Sequence, residues 1–370
     1  MRKLLALLLA AVMVLGLAAC GAKTPAPAAT EAPTAAEAPS EPTAEPVPET
    51  ISFTDSCGRT VELPANSTKI APSGPVATMI LLAFAPERLV CSGTNIDANQ
   101  VPYLYEGVAD LPVTGQLYGG KSTLNLEQLL ATGAEVVIDL GDFKKSIAED
   151  LTALQEQTGL PCIFLEADLA HMADAFRSLG TLLGMEERGE QLAGLVEETL
   201  TMAAENSARI TEEQMISVLY SSGSDPLGTN AEGSSQAQVL GIIGAKNAVV
   251  VEEVTSKGGG NMINMEQLYN FDPDVILVTD TAALEIIESE TAWQEVRAVK
   301  DGKVYTVPLE PYCWMSGPPS MNMILGVWWL GNLLYPEVYD YDMTAKAQEM
   351  YKTLWNYDLT AEEAAAILGK

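Results

Sequence analysis

Histidine is nearly missing from this chain: His171 is the single one in 370 residues, and the five cysteines follow no zinc spacing. Transition-metal sites built by a protein draw on clustered His and Cys, which argues against a bare metal ion as cargo or resident cofactor. A metal already wrapped in an organic chelator needs no such ligands. No motif sets a serine or cysteine nucleophile beside His171, so it reads as a surface or helix-start residue and no catalytic constellation emerges. Basic residues are scarce too, 20 Lys and Arg against 50 Asp and Glu, for a formal charge of −30. A nucleic-acid partner requires basic surface, and this composition argues against one. Long apolar runs are lacking at the N-terminus as well. The run at residues 4–15 falls short of the roughly 20 residues that span a bilayer.

What stands there instead is Arg2-Lys3, that apolar run, and a small-residue ending Leu17-Ala18-Ala19-Cys20, the pattern of a secretory signal over residues 1–19. The ending resembles the bacterial lipoprotein signal, which implies that Cys20 becomes an acylated first residue and several acyl chains anchor it. Residues 22–50 are mostly Ala, Pro, Thr and Glu with no aromatic. That composition cannot bury enough surface to fold and predicts an extended, disordered tether.

About 320 residues follow, too many for one small core and suited to two domains. Short apolar runs alternate with amphipathic ones. Strands are predicted at 51–54 and 60–63 as a hairpin, then at 69–71, 88–92, 136–140 and 162–165, with helices at 75–84, 145–158 and 170–183. A second set follows: strands at 215–220, 275–279 and 304–307, helices at 235–243 and 321–334. This alternation predicts an α/β fold, with mostly parallel sheets and helices on both faces. Between the sets, 186–209 has no proline and apolar residues at helical spacing, enough for a helix of roughly 36 Å. The expected layout is a lobe at 51–184, a linking helix at 185–210 and a lobe at 211–370. One helical link in place of paired hinge strands argues against large closure. Cys91 and Cys162 read as core. Cys57 could pair with Cys91, although the reading preferred is that Cys57, Cys91, Cys162 and Cys313 are unpaired.

One stretch occurs twice. Asn125-Leu126-Glu127-Gln128-Leu129 returns 139 residues later as Asn264-Met265-Glu266-Gln267-Leu268, and the apolar runs 136–138 and 275–277 keep the offset. In each copy Asn caps a helix and Gln three residues on can bond back, a capping box. The cap does not need Glu127 or Glu266. Each suits the helix dipole, or each is a carboxylate presented to a partner.

A rival reading comes from Gly115 to Ser122, which fits the phosphate-loop pattern GxxxxGK[ST] with Asp139 as a candidate magnesium ligand. The second copy replaces Lys121 by Gly260 and Ser122 by Asn261, so the shared element is the capped helix. Export also removes the protein from nucleotide. In the last third, Tyr312, Cys313, Trp314 and Met315 sit among Pro308, Pro311, Pro318 and Pro319, which excludes regular helix or central strand. They form either an aromatic ligand platform or a core plug.

The hairpin at 51–63, the repeated Asn-x-Glu-Gln-Leu, Trp293 to Tyr305 and residues 330–336 resemble the periplasmic binding proteins of ATP-driven importers for iron-siderophores and cobalamin, over nearly all of 51–340. The resemblance implies two Rossmann-like lobes joined by one long helix, ligand in the cleft between them, and no catalysis. It implies a permease and its ATPase as partners, with Glu127 and Glu266 docking on permease arginines, a monomeric receptor and no resident cofactor. Positions expected at the cleft are Ser73, Asn95, Tyr118, Lys121, Asp142, Ser222, Asn230, Asn261, Tyr312, Trp314 and Met315. The expected cargo is a metal chelate, a ferric siderophore first. Asn95 stands where a cobalamin-binding relative has an aromatic contact, Tyr312 and Met315 keep haem open, and an oxyanion such as molybdate is a further alternative.

Overall fold

In a computed structural model, which describes residues 49–118, 122–256 and 259–369, residues from Val47 onward form one unit. A hairpin, β1 (Thr50–Thr54) and β2 (Thr60–Pro64), opens the fold and is turned at Gly58, whose φ of 82° suits glycine. The first parallel sheet has the order β3-β4-β5, from Ile70–Pro72, Val136–Gly141 and Cys162–Glu166. Every position of β4 is buried, as expected of a strand covered on both faces. Covering helices are α1 (Pro75–Phe84), α2 (Leu126–Ala131), α3 (Ile147–Thr158) and α4 (Met172–Leu183). Pro75 at the first helical position needs no amide partner there, and Gly159 and Gly184 end α3 and α4 in the left-handed region.

The strand expected at 88–92 is reduced to two isolated bridges, Leu89 with Ile70 and Ser92 with Val113. Pro86, which has no N–H to give a ladder, instead starts a 3-10 turn over Pro86–Arg88.

The link, α5 (Glu186–Ser207), has 22 residues and so runs roughly 33 Å. It lies close to α4, because a Cβ at Gly189 would stand 2.8 Å from the Phe176 carbonyl oxygen. The second sheet has the order β11-β10-β6-β7-β9, with β8 also on β6. Its strands are β6 (Ser217–Ser221), β7 (Gly228–Thr229), β8 (Lys246–Asn247), β9 (Asn261–Met262), β10 (Val275–Val278) and β11 (Val304–Thr306). β8, β6, β10 and β11 run parallel, while β7 and β9 are antiparallel additions. Its helices are α6 (Gln238–Ile242), α7 (Met265–Phe271), α8 (Thr281–Ser289), α9 (Arg297–Lys300), α10 (Met323–Leu334), α11 (Met343–Trp355) and α12 (Ala361–Ile367).

One apolar cluster runs from α1 through α5 into α10 and α11. Polar ties reinforce it: the Trp328 indole donates to Thr199 Oγ1 at 2.8 Å, and Arg188 donates to the carbonyls of Ala83 at 2.5 Å and Leu354 at 3.3 Å. Both halves therefore pack on α5 beyond their covalent join. Among the described residues no helix is long and apolar enough to cross a membrane. The signal, Cys20 and all but the end of the tether lie outside the described residues. All four cysteines of the described part are free, and Cys91 and Cys162 are fully buried.

Candidate ligand-binding cleft

Ligands of open parallel sheets bind beyond the carboxyl ends of the strands, and the cavity here lies there. β3 delivers Ser73-Gly74, β4 delivers Asp139 to Asp142, and the amide of Leu117 donates to the Ser73 carbonyl at 2.8 Å, holding the 115–118 loop beside them. The second half contributes Ser235, Gln236, Ser256, Pro318 and Pro319, and the Gly317 amide donates to Gln236 Oε1 at 3.2 Å. Together they enclose about 410 Å³, within the range of roughly 300–1,000 Å³ typical of small-molecule sites.

The charge is all on the first half. Asp139, 3% exposed, accepts from the Ser73 hydroxyl through Oδ1, while Oδ2 has no partner. Burial pushes its carboxyl upward, opposed by the Ser73 hydrogen bond and by Lys144. The Tyr118 hydroxyl is also buried without a partner. Burial first, and then the charge of Asp139, pushes that phenol upward. Lys144 lies 4.7 Å over the Tyr118 ring and donates to the Asp142 carbonyl at 3.1 Å.

Of the residues expected at the cleft, Ser73, Tyr118 and Asp142 line this cavity. Lys121 lies outside the described residues. Asn95 is exposed and off the lining. Ser222 and Asn230 bond each other at 2.9 Å, and Asn261 ties its own loop together by donating to the Glu253 carbonyl at 2.7 Å and accepting from the Thr255 amide at 3.1 Å. Trp314 and Met315 are fully buried, and the Trp314 indole donates to the Glu310 carbonyl at 3.0 Å. The platform expectation for them is corrected: prolines fix the loop, but its aromatic face turns into the core against α11. Tyr312 is 8% exposed and packs on Trp355.

The sequence reading missed Gln116, Lys144, Ser235, Gln236 and Ser256, and read Asp139 only as a magnesium ligand. An acid within the apolar run Val136-Val137-Ile138-Asp139-Leu140 was the available signal, since a charge in a doubly covered strand needs a reason. Of the phosphate-loop pattern, Gly119, Gly120 and Lys121 lie outside the described residues; Ser122 Oγ donates to the Gln116 carbonyl, and the following helix opens only at Leu126, four residues after Ser122.

The repeat survives as structure. Asn125 accepts from the Gln128 amide at 3.0 Å without the return bond, whereas Asn264 and Gln267 make both bonds at 2.9 Å. Glu127 and Glu266 each fall at the second helical position and are exposed, with no side-chain partner among the described residues. His171 stands exposed at the start of α4, paired with Asp168 at 2.8 Å.

Two α/β halves on a shared helix, with a cavity lined from both, have the architecture of a solute receptor. The chain belongs to the periplasmic binding protein family, whose model matches residues 95–311. It is 25% identical over 294 residues to the uncharacterized ABC transporter substrate-binding lipoprotein YvrC of Bacillus subtilis, spanning 78% of this chain and 87% of that protein. It is 23% identical over 267 residues to the molybdate-binding protein MolA of Haemophilus influenzae, spanning 67% and 74%. The solved ABC transporter solute binding protein from Sulfurospirillum deleyianum superposes with a TM-score of 0.78 at 25% identity, covering 86% of this chain and 99% of that one.

Proposed function

We propose that the protein is the extracytoplasmic receptor of an ATP-driven importer, anchored by a lipid on Cys20 and lifted from the membrane by the 20–50 tether. It captures a metal chelate, first of all a ferric siderophore, between lobes 51–184 and 211–370 and delivers it to the permease. The observation that carries the reading is the matched pair of exposed, unpartnered glutamates, one at the start of α2 and one at the start of α7. A transporter partner gives two such carboxylates a use that helix capping does not.

Cavity size supports an organic ligand over a small bare ion, and a chelate supplies its own metal ligands where the lining holds no His or Cys. The haem alternative loses Met315 and Tyr312 as axial ligands and keeps Tyr118 alone on the lining. The name of the Haemophilus relative supports molybdate as the second reading. The five tryptophans are all buried and none lines the cavity, so calorimetry reports binding more directly than fluorescence. Titration of the full chain in detergent with ferric siderophores, cobalamin, haemin and molybdate is expected to give saturable one-to-one heat with a ferric siderophore. Silence with every one of them would remove the chelate-receptor reading.

A further inference from the structure

We infer that Asp139 Oδ2 and the Tyr118 hydroxyl form an anchor for a hydrogen-bond-donating cationic group of the ligand, so that this cleft selects chelates bearing a protonated amine over anionic ones. The inference rests on the receptor reading above and names the chemical class that the cavity takes.

Asp139 is enclosed within β4, two residues before its end, with one carboxylate oxygen engaged by Ser73 and the other without a donor. A buried acceptor left without a donor carries the full desolvation cost of that atom, and a buried carboxylate carries more. The cavity beside it is where a donor would come from, since Asp139 is part of its lining. Tyr118, on the same lining, presents a second buried oxygen without a partner. The effect of the Asp139 charge on the Tyr118 phenol places the two groups within electrostatic reach of each other.

The remaining lining supplies little to hold an anion. Among the described residues its charged side chains are Asp139, Asp142 and Lys144. Lys144 is already committed to the Tyr118 ring and the Asp142 carbonyl. The opposing wall offers the neutral Ser235, Gln236 and Ser256. Among the described residues, an anionic ligand would therefore meet a buried carboxylate with only the already engaged Lys144 ammonium to offset it. A protonated amine would find two free oxygen acceptors, and a charge-assisted bond is the strong kind.

The test is calorimetry on the full chain in detergent with four probes: ferrioxamine B, whose pendant amine is protonated, its N-acetylated neutral form, and two anions, ferric citrate and molybdate. Ferrioxamine B is expected to bind tightest, and acetylation to weaken it roughly tenfold. Asp139→Asn should weaken ferrioxamine B by roughly 10- to 100-fold and leave the acetylated form within about threefold. Tyr118→Phe, which removes one oxygen, should weaken both forms by a smaller factor. Thermal melting of each variant checks that it folds. Tighter binding of ferric citrate or molybdate than of ferrioxamine B would overturn this assignment alone and leave the receptor reading intact, as would unchanged ferrioxamine B affinity in Asp139→Asn. Silence with all probes, cationic, neutral and anionic, would overturn both.

Discussion

β4 and β10 are each the middle strand of a parallel trio, and each follows a capped helix with an exposed glutamate at its second position. At their cleft ends they differ. β4 carries Asp139, buried with a free oxygen, where β10, 139 residues on, carries the fully buried Val278. The repeat thus holds at the helix starts and breaks along the strands that follow them. A partner that meets both halves alike would use the two helix starts. A ligand, which is not symmetric, would meet charge on one side and neutral polar groups on the other.

The largest effect expected from disturbing this arrangement is on the second half's proline-rich loop. Trp314→Ala should cost about 4 kcal/mol by leaving a cavity against Tyr351 and α11, measured by urea denaturation, while ligand affinity of the folded fraction stays put. Affinity lost with stability unchanged would return Trp314 to the site. Next come the two caps. Asn264→Ala should cost about 1 kcal/mol and Asn125→Ala less, because only Asn264 has the reciprocal bond from Gln267. Equal losses would erase that asymmetry.

Asp139 gives a smaller, pH-dependent signature. Its carboxyl is raised on folding, so the folded state holds the proton more tightly, and stability falls as pH rises from the ordinary carboxylate range of about 4 through the raised value. Asp139→Asn is expected to melt higher than the native chain at pH 7, the gain vanishing as pH falls below about 4. A gain that persists at low pH would mean the charge is not its source. The smallest effect lies outside the cleft. The hydrogen bond that Asp168 accepts from the His171 imidazole raises the latter's pKa, and NMR titration of Asp168→Asn should find it lowered with no change in ligand affinity.

Much of this was legible in the residues. Pro75 followed by an apolar run interrupted only at Thr78 marks α1, and the proline-free spacing after Glu186 marks α5, because both patterns depend only on local period and capping. β7, β8 and β9 were not legible. Each has two residues, and they exist through pairings such as Ser221 with Thr229 that no local pattern encodes. For Trp314, the prolines dictated an irregular loop but not the direction of its face. The complement is Gly326 in α10, where a Cβ would run into the Trp314 carbonyl oxygen. Asp139 was visible as an acid in an apolar strand, but its use depends on Ser73 and Tyr118, which reach it only through the fold.

The glutamates at the two helix starts are separate from the lining of the cavity, and one paired measurement tests whether docking and binding are separate too: ligand affinity of the purified Glu127→Ala/Glu266→Ala variant beside chelate uptake by cells carrying it. The account predicts unchanged affinity and abolished uptake; lost affinity, or uptake at the native rate, would contradict it.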